Sequence, residues 1–96
     1  MATLLKIDGT TREVQPRNKK HGFTLDELYN LLDCSLIEAV GPMDDGRLMI
    51  CDEEGKLKEG WGERINALAT HEYRVKYGPI DVIVGNALLV NSEEFK

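Results

Sequence analysis

Turn-forming pairs break this 96-residue chain at short intervals: Asp8-Gly9, Gly41-Pro42, Asp45-Gly46, Glu54-Gly55, the Gly60-Trp61-Gly62 triplet, Gly78-Pro79 and Gly85-Asn86. Glycine tolerates the left-handed backbone of tight turns, and proline continues neither a helix interior nor a central strand. Only short segments fit between such breaks. The length allows one domain, since domains run to roughly 100–200 residues. The whole span 1–96 reads as a single unit with a polar tail at 91–96.

The first segment, Thr3-Leu4-Leu5-Lys6-Ile7, is strand-like and is followed by Asp8-Gly9 and then Arg12-Glu13-Val14-Gln15. This predicts a β-hairpin closed by a two-residue type I′ turn. Pro16 ends the return strand, and residues 16–22 form a loop. In Phe23-Thr24-Leu25-Asp26-Glu27-Leu28, Thr24 and Glu27 have the spacing of a capping box, with Phe23 placed to staple onto Leu28. Leu25, Leu28, Leu31 and Leu32 recur at helical spacing, which predicts a helix over 25–33. Strands are expected at 35–40 and 47–52, the second nearly continuous in apolar residues and therefore central. After the turn at 53–56, Leu57 is expected to pair briefly. A second helix is expected from Glu63 to about Tyr73, with Ile65, Leu68 and Ala69 on one face. Ile80-Asp81-Val82-Ile83-Val84 and Ala87-Leu88-Leu89-Val90 are strand-like, and Gly85-Asn86 between them is either a hairpin turn or an interruption of one long strand. The interrupted strand is the reading adopted. The order is ββαββαβ(β): an α+β fold with a mainly antiparallel sheet of five to six strands and two helices packed on one face.

Function is bounded chiefly by exclusion. Apolar residues make up 42% of the chain, too many for a disordered tail. No apolar run approaches the roughly 18 residues of a membrane helix, and no secretory signal opens the chain. Twelve lysines and arginines against seventeen carboxylates give a net charge of −5, contrary to non-specific nucleic-acid binding. Cys34 and Cys51 are too few for a disulfide scaffold and read as buried free thiols in a reducing cytoplasm. Gly-x-Ser-x-Gly, His-Glu-x-x-His and phosphate-loop patterns are missing. His21, His71 and the two cysteines have no zinc spacing, and the acidic turns do not match a calcium loop. The expectation is a protein without catalytic residues, metal or cofactor.

The ordered set Asp8-Gly9-Thr10, Phe23-Thr24-Leu25-Asp26-Glu27-Leu28, Ile37-Glu38, Asp45-Gly46-Arg47, Glu54-Gly55-Lys56, Asn66 with Ala69-Thr70, and Asp81-Val82-Ile83-Val84-Gly85-Asn86-Ala87 resembles an uncharacterised family of small proteins encoded by phages and mobile elements of bacteria. The resemblance spans about residues 3–90. Such proteins often carry Gly-Gly where this chain has Cys34-Ser35. It implies a phage or mobile-element origin and the cytoplasm of a bacterial host, and it brings no catalytic residues.

Three features are candidate binding elements. Arg17, Lys19, Lys20 and His21 precede a helix start, where free N–H groups and the helix dipole favour anions; the competing reading is a solvated basic loop, and the capping box already uses some of the donors. Asn66 and Thr70 form a polar pair four residues apart, with Arg64, His71 and Arg74 nearby; the competing reading is that both bond local backbone. Trp61, between two glycines, is either a stacking platform for a base or a core or dimer anchor. Together they suggest a binding protein that sequesters a phosphate-bearing small molecule, such as a host nucleotide immune signal. A small core further suggests a homo-oligomer. The alternative is an acidic inhibitor or adaptor that binds a host protein.

Overall fold

The computed structural model describes residues 2–18, 20–79 and 81–91. Lys19, Ile80 and all of the expected tail except Asn91 lie outside the described residues. Strands β1 (Ala2–Leu5), β2 (Thr11–Val14), β3 (Ile37–Val40), β4 (Leu48–Asp52) and β5 (Ala87–Val90) form one antiparallel sheet in the order β2-β1-β5-β4-β3. Helix α1 (Leu25–Leu32) lies between β2 and β3 in the chain, and α2 (Ala67–Tyr77) precedes β5. This is the expected α+β fold, with the strand-helix order ββαββαβ.

The β1–β2 hairpin forms, but through a longer turn than expected. Lys6 N–H donates to Thr10 O and Gly9 N–H to Lys6 O, both at 3.0 Å. Only Gly9 is left-handed, at φ 88°. The loop is therefore three residues closed by a left-handed glycine, the next most common hairpin after the two-residue turn. The Asp8 carboxylate accepts from Thr10 N–H (2.9 Å) and Thr10 Oγ1–H (2.6 Å), which braces it.

The helices do not share one face of the sheet, as the sequence had suggested. Leu4, Ile50, Leu88 and Val90 pack with Phe23, Leu28 and Leu32, on the face that α1 covers. Leu5, Met49, Cys51 and Leu89 pack with Met43, Ala69 and Ile83, on the face that α2 covers. The cross-strand partners Leu4, Leu88 and Ile50 lie on one face, and Leu89 with Met49 on the other, as the two-residue period requires. All four β5 residues are buried, and Met49 to Asp52 of β4 as well. Continuous apolar runs of this kind mark strands covered on both faces.

Helix α1 starts at its capping box: Thr24 Oγ1 accepts Glu27 N–H (3.1 Å), and Glu27 Oε1 accepts Thr24 N–H (3.0 Å). The second helix begins later and runs further than the sequence had suggested. Trp61–Arg64 is a separate 3₁₀ turn, Asn66 caps α2 through Ala69 N–H (3.0 Å), and Gly78 closes it by donating to Arg74 O (2.9 Å). Leu57 does not pair in the sheet. It ends a 3₁₀ turn (Gly55–Leu57) and is 80% exposed. Gly55 packs so closely under Val84 that a Cβ there would lie 3.1 Å from Val84 Cβ.

The segment before Gly85-Asn86 is neither a hairpin arm nor a sheet strand. Only β5 joins the sheet, and Val84 makes one isolated bridge to Ile65. Ile83 and Val84 are nonetheless buried, because α2 and its approach satisfy the backbone instead. Ile83 O accepts Asn66 N–H (2.8 Å), Ile83 N–H donates to Thr70 Oγ1 (2.9 Å), and Gly85 N–H donates to Arg64 O (2.8 Å). Among the described residues, no helix is long and apolar enough to cross a membrane.

Candidate functional site

Polar and acidic groups already occupy the helix start that the basic loop precedes. The first turn of the helix holds the Thr24 hydroxyl and the carboxylates of Asp26 and Glu27. The Glu27 carboxylate also accepts Arg17 N–H at 2.8 Å. The two backbone N–H groups, Thr24's first, hold its pKa below the usual carboxylate value. Arg17 borders the two cavities here in company with Glu27, and one of them also with Asp26. Lys20 and His21 are exposed, and neither lines these cavities.

The second group of candidates comes closer together. Four α2 residues, Ala67, Thr70, His71 and Arg74, follow the i, i+3, i+4, i+7 spacing of one helix face. With Ile65 and Val82 they line a cleft of about 330 Å³. Arg74 Nε–H donates to Asp81 O at 3.2 Å, which anchors one edge of its guanidinium. Arg64 lies against Gly85, where a Cβ would sit 3.6 Å from Arg64 Nη2. Trp61, 39% exposed, opens the 3₁₀ turn that leads through Arg64 to Ile65.

Asn66 and Thr70 have other work. Asn66 is fully buried, and its Nδ2 donates to Leu5 O (2.8 Å) and Gly85 O (2.9 Å) while its Oδ1 caps α2. One amide thus joins β1, the segment before β5 and the start of α2. Thr70 exchanges hydrogen bonds with the Ile83 backbone, at 2.9 and 3.5 Å. Both bond backbone, as in the competing reading of that pair, but apart from Ala69 N–H it is backbone distant in the chain, at Leu5, Ile83 and Gly85. His71, expected near the polar pair, lines the cleft as well, whereas Ile65 and Val82 are lining residues outside the candidate set and Val82 enters only through tertiary packing.

A further cavity, about 240 Å³, lies between β3, β4 and the segment before β5. Glu38, Cys51, Asp52, Lys56, Tyr73 and Asp81 are among its lining residues. It is acidic despite the Lys56–Asp81 ion pair. Asp52 is buried and accepts from Lys58 Nζ and Glu54 N–H. Burial and the neighbouring Glu38 carboxylate push the Cys51 thiol up to about 12, so it is a protonated thiol at neutral pH and no nucleophile. Burial, then Asp52, also raises the half-buried Cys34. At mildly alkaline pH, iodoacetamide is expected to modify Cys34 slowly and to spare Cys51 until the protein unfolds. Intact-mass spectrometry checks this, and rapid modification of Cys51 in the folded protein contradicts it. Among the described residues, no group of three or more His, Cys, Asp or Glu is placed to hold a metal ion.

Residues 2–96 match the family model described as "Domain of unknown function (DUF3846)". No curated protein and no solved structure matches the chain.

Proposed function

The chain belongs to the DUF3846 family, and from that premise we propose that it is a non-catalytic binding protein that sequesters a phosphate-bearing small molecule in the α2 cleft. One observation carries this reading. Among the described residues the α2 cleft is lined by Arg74 and His71 with no carboxylate side chain, whereas the cavities beside α1 and beside β4 each include at least one. A guanidinium has five N–H donors in a planar fork suited to phosphate oxygens, and Asp81 O takes only one of them. Ile65, Ala67 and Val82 supply an apolar wall for the remainder of the ligand, the usual make-up of a small-molecule site. A nucleotide immune signal of a bacterial host fits that description. The motif resemblance supports a phage or mobile-element origin and action in the host cytoplasm.

Isothermal titration with linear and cyclic nucleotides tests the reading. Arg74→Ala is expected to weaken binding about 10- to 100-fold, the cost of one charged hydrogen-bonding group, and to leave the fold intact because Arg74 is exposed. Failure of the folded, ligand-free protein to bind any nucleotide would sink the proposal.

The acidic cavity supports a second reading, an inhibitor or adaptor that binds a basic host protein, since Glu38, Asp52 and Glu53 gather there. A stoichiometric, salt-sensitive protein partner recovered from host lysate favours it over nucleotide capture.

A further inference from the structure

Strand β3 forms one edge of the sheet and pairs with β4 on its inner side only. Leu36 O accepts Glu53 N–H at 3.1 Å, in register with the β3–β4 ladder. Backbone groups alternate in direction along an antiparallel strand. Leu36, Glu38 and Val40 therefore direct theirs toward β4, and Ile37 and Ala39 direct theirs away from the sheet. Beyond the ladder, neither Ile37 nor Ala39 hydrogen-bonds any described residue. Exposed edges are normally blunted by charge, proline or a cover. The opposite edge, β2, carries Arg12 and Glu13, whereas β3 carries Glu38 alone and follows Leu36, which is 45% exposed.

We propose that β3 pairs antiparallel with β3 of a second copy, with Ala39 opposite Ala39 across a two-fold axis normal to the sheet. The register selects a second copy as the occupant. A two-fold axis normal to the sheet must pass beside a residue that faces its own symmetry mate. Centred on Glu38, it would also pair the outward groups of Ile37 and Ala39, but it would set two carboxylates opposite each other as a non-hydrogen-bonded pair, where facing side chains lie closest. Centred on Ile37, it would put Ala39 opposite Ser35, which lies outside the strand. Centred on Ala39, the two outward N–H and C=O groups of that residue meet those of the other copy. A small side chain then sits at the axis, Glu38 faces Val40, and exposed Leu36 falls opposite Pro42. No like charges oppose, so the edge is complementary to itself. The two sheets would run on as one, with both copies of α1 on the same face. A four-residue edge buries little area, so the dimer is expected to be weak and concentration-dependent. This inference does not depend on the ligand reading.

Sedimentation velocity of the full chain, from the micromolar to the millimolar range, tests it. The wild-type mass is expected to rise with concentration from 10.8 kDa toward twice that value. Ala39→Pro deletes an N–H that points away from β4 and so spares the β3–β4 ladder. It is expected to stay monomeric throughout with an unchanged circular-dichroism spectrum. Ala39→Glu and Ala39→Lys are each expected to be monomeric alone, because like charges would meet at the axis, and to form a dimer when mixed. This charge pair decides the matter even if the proline variant fails to fold. A wild-type protein that stays monomeric, leaving the edge to another partner or to none, overturns the proposal. So does a folded proline variant that still dimerises, or charged variants that dimerise separately.

Discussion

Replacing Asn66 by alanine is expected to lower the unfolding free energy by about 3 kcal/mol, since buried groups left without hydrogen-bond partners cost about 1–3 kcal/mol each and do not add fully. The substitution removes the side-chain hydrogen bonds to Leu5 O, Gly85 O and Ala69 N–H together. Asn66→Asp separates the two roles. The aspartate still caps α2 but has no donor for the two carbonyls and sets a negative charge against them. It is therefore expected to recover little of the lost stability. Urea denaturation of the three proteins measures the differences. If Asn66→Ala costs less than a typical helix cap, about 1 kcal/mol, the amide does not join the three segments as described.

Truncating Leu88 and Leu89 to alanine, one at a time, is expected to cost about 2–5 kcal/mol in each case, the range for fully buried leucines. Leu88 is 0% and Leu89 3% exposed, and each belongs to a different core cluster. A sheet covered on one face only would give a large loss for one residue and a small one for its neighbour, whose side chain would face solvent. Two comparable losses in denaturant unfolding support helices on opposite faces. A loss below about 1 kcal/mol at either position, the usual range for surface changes, contradicts them.

Local chemistry made part of this fold legible from the chain alone. The capping box of α1 is a matter of four residues, and it forms with both of its hydrogen bonds. The Leu48–Asp52 run reads as an interior strand, and it is one. Errors entered where tertiary contacts decide. Ile83 and Val84 look like strand residues because they are buried, yet their neighbours are Asn66, Thr70 and Ile65 rather than another strand. The start of α2 is set by a local signal instead, since Asn66 is a preferred N-cap residue and its side chain accepts Ala69 N–H. The continuous apolar run of β5 already contained the evidence for two covered faces.

The candidate site was legible in its charges and not in its shape. Arg74 was found as a cation near a polar pair, but the polar pair is structural and the cleft wall comes from Ile65 and Val82. Arg17 stands beside a helix start whose first turn carries Asp26 and Glu27, and its N–H donates to Glu27. The net charge of −5 is thus unevenly spread, with Glu38, Asp52 and Glu53 lining one cavity and Arg74 with His71 the α2 cleft.

A phosphate-bearing ligand should meet the protein at the α2 cleft. A heteronuclear NMR titration with a nucleotide that binds by calorimetry reads this residue by residue. Saturable shifts are predicted in the amides of Ala67 to Arg74 and Asp81 to Gly85, lost in Arg74→Ala. Shifts that instead centre on Arg17 to Glu27, or that persist unchanged in Arg74→Ala, contradict it.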